Sequence, residues 1–475
     1  MRIEMPRDVE WIIGKIRDHG FEAFAVGGCV RDTLLGREPG DWDITTSAKP
    51  EEVKGIFGKT VDTGLQHGTV TIIKNRNGYE VTTYRIDGEY HDGRHPESVE
   101  FTSNLKEDLK RRDFTINALY YDPSTQEVID YHNGMQDIEN RVVRMIGDPY
   151  DRYREDPVRM LRAVRIASKL HFDVDEATLA PIAKQAHLLG NVPEARLFDE
   201  AMKLLTCGEA CLCMEKLRQL HLDRNVLPLL DVALKEPNGE KFLNHAMKRT
   251  DERIGMGKKV SPSFLFATLL WPLTHRQFEE RLARGEGQMM AMIEAARSVL
   301  KKQGERLAIQ NRYVEDIQTI WLLQLKLLRR SSKAALGLLN IPKFRAGYDF
   351  MLLRSQLGFV DAEIVDWWTK FQEVGEEARL EMIRLEAEKN QQARKSRRGE
   401  PKKPSKAQIK KQLMKEADSW QEVRDIENFV DHEFDEDVPF ALIETKPADK
   451  PKRRRRSSWK GRRRVARQAQ EGSNQ

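Results

Sequence analysis

The sequence predicts an α/β head over residues 1–150, then an all-helical neck, body and tail ending in a disordered, basic C-terminus. Three observations lead there. Short apolar runs, glycine turns and helical stretches alternate up to about residue 132; beyond it the apolar spacing is helical; and from about residue 376 the chain is dominated by charge.

The head elements follow in order. FEAFAVGGCVRDTLLG reads as a strand, a Gly27-Gly28 turn and a short helix from about Cys29 to Leu35. VTIIK (70–74) and YEVTTYRI (79–86), joined by the turn NRNG, predict a β-hairpin, and GEYHDGRHPES is a polar loop of the kind that moves. DPVRMLRAVRIASKL, ATLAPIAKQAHLL, RLFDEAMKLL and YVEDIQTIWLLQLKLL then show helical spacing. The expected division is head 1–150, neck 151–215, body 216–375 and a charged, largely disordered or loosely helical tail 376–475.

The 475 residues are 39% hydrophobic and 33% charged, which fits a globular protein with polar extensions. There is no long apolar run, and MRIEMPRDVEW lacks a signal-peptide core, so a cytoplasmic protein without a membrane partner is expected. Cys207, Cys211 and Cys213 (CGEACLC) match no zinc spacing and read as buried or incidental thiols. The net charge of +5 is unevenly placed: residues 451–475 hold two Lys and eight Arg against one Glu. PKRRRRSSWKGRRRVAR is a tail of the kind that binds nucleic-acid phosphates, with Trp459 placed to stack on a base; a merely solubilising end is the other reading.

GDWDITT (40–46) carries the chemistry. At the start of a strand, Asp41 and Asp43 share a face while Trp42 turns towards the core. Like charges that close call for a cation, and magnesium held by one or two carboxylates plus substrate phosphates supplies one; an ordinary Gly-Asp turn is the alternative. Just upstream, Gly27-Gly28 lets backbone approach a triphosphate, with Arg31 as a charged clamp. A phosphate cradle followed by a carboxylate pair describes nucleotidyl transfer.

Two further stretches supply nucleotide contacts. In DLKRRDFTINALYY, Arg112 is a candidate for the nucleotide's phosphate or sugar, and Asp113 either orients it, supports the metal site, or caps a following helix. In REDPVRMLRAVR, Asp156, Arg159 and Arg162 follow three-residue steps along one helix face, continued by Arg165. Asp156 ahead of Pro157 is also a good helix start, but arginines in that stripe need partners, which a polyphosphate or base edge would provide. A carboxylate beside a guanidinium matches the amino donor and ring-nitrogen acceptor of adenine and cytosine and mismatches guanine and uracil, so Asp156 with Arg159 selects ATP or CTP.

Together VGGCVRD, GDWDITT, EDLKRRDFTIN and REDPVRMLRAVR resemble the head and neck of the bacterial class II RNA nucleotidyltransferases, the superfamily of CCA-adding enzymes and poly(A) polymerases. The resemblance implies a polymerase β-like head, Mg2+ on Asp41 and Asp43, and catalysis by Asp41, Asp43 and Asp113. It further implies nucleotide contacts from Gly28, Arg31, Arg112, Asp156, Arg159, Arg162 and Arg165, with Glu80 on the neighbouring strand as a possible third acid or a structural ion pair. Residues 1 to about 117, with GLQHGTVTI and HPESVEF, are similar to CCA-adding heads. From about 118, LYYDP, PSFLFATLLW, PKFRAGYD and VDWW resemble poly(A) polymerase, although GLQHGT stands where those enzymes show a basic, aromatic string.

The expected activity is template-independent transfer of AMP from ATP to RNA 3′-hydroxyls, on mRNA or other unstructured RNA. The alternative is CCA addition to tRNA from CTP and ATP, and a lesser one is a non-catalytic RNA-binding protein on the same scaffold. His91-Asp92, the one His-Asp dipeptide, falls in the polar loop, so no His-Asp hydrolase domain is evident.

Overall fold

A computed structural model describes residues 3–88, 99–223, 228–306 and 309–399. The polar loop with His91-Asp92 and the basic C-terminal stretch lie outside them. The chain opens with helix α1 (Arg7–Asp18), strand β1 (Ala23–Val26), α2 (Gly28–Leu34), β2 (Asp43–Thr46) and α3 (Pro50–Ile56). There follow β3 (Thr60–Gly64), β4 (Thr69–Lys74), β5 (Asn77–Thr83), β6 (Arg85–Asp87) and β7 (Val99–Phe101). The head closes with α4 (Leu105–Lys110), β8 (Tyr120–Asp122), β9 (Glu127–Ile129) and α5 (Gly134–Asn140).

Seven of these strands form one sheet in the order β3-β4-β5-β2-β1-β8-β9. AFAV of β1 sits inside the sheet and is buried at all four positions, as a strand covered on both faces must be. The expected hairpin is β4–β5, turning at Asn75 and Arg76, which both adopt positive φ (48° and 67°) and so give the twist that suits tight hairpins. α1 lays Val9, Ile12, Ile13 and Ile16 onto the sheet, at helical spacing.

Beyond the head the chain is helical, from α6 (Pro149–Glu155) and α7 (Val158–Leu170) through to Glu376–Gly399. The buried face of α7, including Met160, Leu161, Ala163, Val164 and Ala167, belongs to a core that continues through Leu204, Phe242, Phe266, Trp321 and Phe350. The same core takes in Phe114 and Ile116 from the end of the head, so the first long helix is seated on the sheet domain by shared apolar packing.

Several expectations are corrected. ATLAPIAKQAHLL is not one helix: Pro181 divides it into Glu176–Leu179 and Ile182–Gln185, followed by a 3-10 turn. A two-residue parallel pair, Val142–Val143 with Asp173–Val174, adds extended structure after residue 132. The charged stretch from 376 opens as a helix, one of the two readings expected of it; before its end Ile383 and Glu386 are buried, and Glu386 pairs with Arg330 at 2.7 Å. No helix among the described residues is long and apolar enough to cross a membrane.

Candidate active site

Strand register explains why the glycine turn and the carboxylates meet. β1 and β2 are antiparallel with Val26 opposite Asp43, so the end of β1, where Gly27-Gly28 follows, lies beside the start of β2. Asp43 is the first residue of β2 and Asp41 sits just ahead of it, not within it. Trp42 turns between them onto the head core, half-buried. β2 runs parallel to β5 with Ile44 opposite Val81, which brings Glu80 alongside Asp43. On the other flank β8 pairs with β1, Val26 opposite Tyr120, and the Gly27 N–H donates to the Leu119 carbonyl at 3.0 Å. That pairing brings residues 112–119 to the glycine turn.

The three acids are poorly compensated. Asp43 is open to solvent by area yet crowded: desolvation, then the charges of Asp41 and Glu80, push its pKa up to about 6, with Arg112 opposing. Asp41 and Asp43, oxygen donors that repel one another and line an open cavity, fit a hard divalent cation that keeps waters and substrate phosphates as its other ligands. Among the described residues no group of three or more His, Cys, Asp or Glu is gathered closely enough to hold a metal ion by itself. Cys29 lies close by, but burial pushes its thiol up to about 12, so it stays protonated and is not a nucleophile.

The same cavity is lined by arginines, each held by the protein. Arg31, 6% exposed, gives Nε and Nη2 to Asp32 at 2.8 and 2.5 Å and Nη1 to Asn117. Arg112 donates to Tyr120 at 2.7 Å and to the fully buried Asp108 at 3.1 Å, and its guanidinium stacks on the Tyr120 ring. Arg111 pairs with the same Asp108 at 2.7 Å. Burial opposes ionisation of Asp108, but these two arginines and the Tyr120 hydroxyl overcome it and hold its pKa below the usual range.

Asp113 does not cap a helix: α4 ends before it, and a three-residue turn and β8 follow. One oxygen accepts from the Phe114 N–H at 2.8 Å and Asn117 at 3.2 Å, while the other accepts Arg162 Nε and Nη2 at 2.8 and 2.5 Å. Burial works against its charge, and Arg162 with these hydrogen bonds more than offsets that, so Asp113 titrates well below an ordinary carboxylate. With both oxygens engaged, Asp113 anchors Arg162 at the cavity that it shares with Asp41 and Asp43.

The stripe on α7 forms as expected from Arg159 onward, but Asp156 is not on it. Asp156 ends α6 in an extended conformation and takes the Val158 N–H at 3.1 Å, so the capping role is real. It pairs with Arg196 at 2.6 Å, whereas Arg159 binds Glu155 at 2.8 Å. Arg165 binds Glu200 at 2.6 Å. The stripe therefore has protein partners, contrary to the expectation that only a ligand would supply them: Glu155, Asp113 and Glu200 neutralise it one by one, which is what makes its burial tolerable.

One cavity of about 440 Å3 gathers all ten sequence-predicted residues: Asp41, Asp43, Asp113, Gly28, Arg31, Arg112, Asp156, Arg159, Arg162 and Arg165. Glu80 is not part of its wall, and Asp32, Asn117, Arg111 and Lys169 are additional members. Asp108 was legible as the residue three and four places before Arg111 and Arg112 on a helix; Arg196 and Glu200, far along the chain, left no local signal.

Comparison with known proteins agrees with this arrangement. Residues 23–144 match the poly A polymerase head domain, 171–234 the probable RNA and SrmB-binding site of polymerase A, and 284–403 the polymerase A arginine-rich C-terminus. Poly(A) polymerase I of Haemophilus influenzae is 35% identical over 391 residues, 78% of this chain and 86% of that one. A CCA-adding enzyme of Ligilactobacillus salivarius is 50% identical over a shorter 194 residues, 41% of this chain and 48% of that one. The fold is similar to the crystal structure of the Bacillus stearothermophilus CCA-adding enzyme in complex with CTP, with a TM-score of 0.55 and 30% identity over 76% of this chain and 81% of that one. The chain belongs to the class II RNA nucleotidyltransferases, the enzyme superfamily of poly(A) polymerase I and the CCA-adding enzymes.

Proposed function

We propose that the protein transfers AMP from ATP to the 3′-hydroxyl of unstructured RNA without a template. The observation that carries this reading is one cavity lined both by acids and by anchored arginines, in a chain matched over most of its length by poly(A) polymerase I. In the reaction a bond forms between the RNA 3′-oxygen and the α-phosphorus, and the bond to the β-phosphate breaks to release pyrophosphate. Asp41 and Asp43 would hold Mg2+, which when bound would supply activation of the attacking hydroxyl and charge neutralisation on the leaving pyrophosphate.

The chain's own residues do the positioning. Gly27-Gly28 allows close approach of the triphosphate, and Arg31, Arg162 and Arg165 bind its charge from side chains already fixed by carboxylates. Arg112, immobilised between Asp108 and Tyr120, reaches the sugar or phosphate. Asp156 accepts from the amino group of the base while Arg159 donates to the ring nitrogen, which favours ATP or CTP. The helical neck (151–215) and body (216–375), with the basic tail, hold the RNA, and the setting is cytoplasmic.

A second reading, CCA addition to tRNA from CTP and ATP, is supported by the 50% identity to the Ligilactobacillus salivarius enzyme. Both readings require Asp41 and Asp43. Replacing either by Ala is expected to abolish magnesium-dependent incorporation of labelled AMP while RNA binding and circular dichroism stay as in wild type; full incorporation in both variants would overturn the assignment.

A further inference from the structure

The CGEACLC stretch matches no zinc spacing, yet the fold brings two of its three cysteines into contact. Cys207 follows the helix Glu194–Leu205, and Cys213 lies in the next helix, Ala210–Gln219. Gly208, at φ 91°, reverses the chain between them in a conformation that suits glycine alone. The two sulfurs are 3.5 Å apart and both are free thiols. Cys213 is fully buried while Cys207 is partly open, so solvent reaches one sulfur and not the other.

The pair is also chemically uneven. The hydrogen bond from Cys213 lowers the Cys207 thiol below its ordinary range against the cost of burial, helped by a backbone hydrogen bond from Glu209 and by the charge of Arg165. The same contact, together with burial, pushes Cys213 up. Cys211, although exposed by area, is pushed up to about 11 by partial desolvation and by Asp251, which accepts the Ala210 and Cys211 N–H groups at 2.7 and 3.0 Å. A reachable sulfur that ionises readily, touching a second sulfur that can resolve it, is the arrangement of redox-responsive cysteines.

We propose that Cys207 and Cys213 form an oxidation site that closes to an intrachain disulfide on reaction with a peroxide and thereby slows nucleotide transfer. The Cys207 thiolate attacks one peroxide oxygen, the O–O bond breaks and hydroxide leaves, giving a sulfenic acid. Cys213 gives up its proton and attacks that sulfur, and water leaves as the S–S bond forms. In sum, two thiols lose two electrons and two protons, and hydrogen peroxide becomes two waters. A dithiol reverses the reaction by exchange.

Closure draws the sulfurs from 3.5 Å to the roughly 2.05 Å of a disulfide. The corner has little room for that movement: Cys213 lies beside the fully buried Ser168 of α7, and Cys207 is close enough to Arg165 to feel its charge. Ser168 sits between Arg165 and Lys169, both of which line the nucleotide cavity, so a shift at this corner reaches the cavity through α7. The activity readout rests on the AMP-transfer reading above; the disulfide does not.

The test takes full-length protein, reduced or treated with hydrogen peroxide and then freed of it. Thiols are alkylated in denaturant and mapped by mass, and kcat/KM for ATP is measured on one fixed RNA with magnesium, for wild type, Cys207→Ser, Cys213→Ala and Cys211→Ser. In wild type and Cys211→Ser, free thiols are expected to fall by two with 207 linked to 213. Alongside, kcat/KM is expected to fall roughly tenfold or more, the scale on which small misplacements of a substrate-positioning group act. Dithiothreitol should restore both. Cys207→Ser should keep its activity through peroxide, and Cys213→Ala should form no link; should the Ala variant fail to fold, Cys207→Ser decides alone. Absence of a 207–213 link, a link through Cys211 in its place, a link that leaves kcat/KM unchanged, or an equal loss in Cys207→Ser overturns the proposal. Reduced protein that transfers no AMP sinks the functional reading alone; the link, and an ATP-induced rise in melting temperature that shrinks on oxidation, then decide this one.

Discussion

Arg162 donates both Nε and Nη2 to a single oxygen of Asp113, at 2.8 and 2.5 Å, joining the last loop before β8 to the middle of α7. The pair ties the sheet domain to the helix that carries the arginine stripe. Replacing Asp113 by Ala leaves Arg162 without its acid and is expected to cost about 3 kcal/mol. The folded-state pKa of Asp113 is depressed, so its stabilisation is present above the ordinary carboxylate value of 3.8 and is lost as pH falls below it. Urea unfolding at neutral pH and at successively lower pH should show the gap between wild type and Asp113→Asn narrowing with acid.

Asp43 carries the opposite sign. Its folded pKa is raised to about 6, so the stability linked to its proton is present below 3.8 and is lost as pH rises through 6. In the metal-free protein at pH 7.5, Asp43→Asn is therefore expected to melt higher than wild type, although it is inactive. Magnesium should raise the melting temperature of wild type and leave the variant nearly unchanged. A variant that melts lower than wild type in chelator would contradict the picture of uncompensated acids.

Gly134 opens α5 against the turn that carries Asn117, the partner of Arg31. A Cβ there would lie 2.4 Å from the Thr115 carbonyl oxygen, which is backbone and cannot give way. Gly134→Ala is expected to destabilise by roughly 2 kcal/mol or more and to raise the KM for ATP. Gly14, inside α1, has nothing within 4 Å of a built Cβ, so Gly14→Ala should stabilise by about 0.5–1 kcal/mol. Denaturant midpoints of the two variants separate the cases.

Removing residues 451–475, which hold ten basic residues against one Glu, should weaken RNA binding and flatten its dependence on salt. Filter binding between low and physiological salt checks this. An unchanged slope would mean that the tail meets no RNA phosphate.

The cavity was legible because its residues lie in four short stretches whose chemistry is local: a glycine turn, an acid pair, an Arg-Arg-Asp string and an arginine stripe. What the sequence could not supply was pairing across distance. Arg196 and Glu200 meet Asp156 and Arg165 only after helices fold back, so the stripe looked unpartnered when it is neutralised. The register that sets Val26 against Asp43 is equally non-local, yet the one-residue spacing of Asp41 and Asp43 at the head of β2 already suggested that both acids meet. The break at Pro181 is masked in the sequence by helical spacing on either side of it.

The most direct test incubates the protein with magnesium and ATP alone, CTP alone, or both, offering either a tRNA lacking its 3′ CCA or an unstructured RNA. Long ladders with ATP alone on both RNAs are the expected result. Addition of three nucleotides to the tRNA, requiring both CTP and ATP and then stopping, would contradict polyadenylation and establish CCA addition instead.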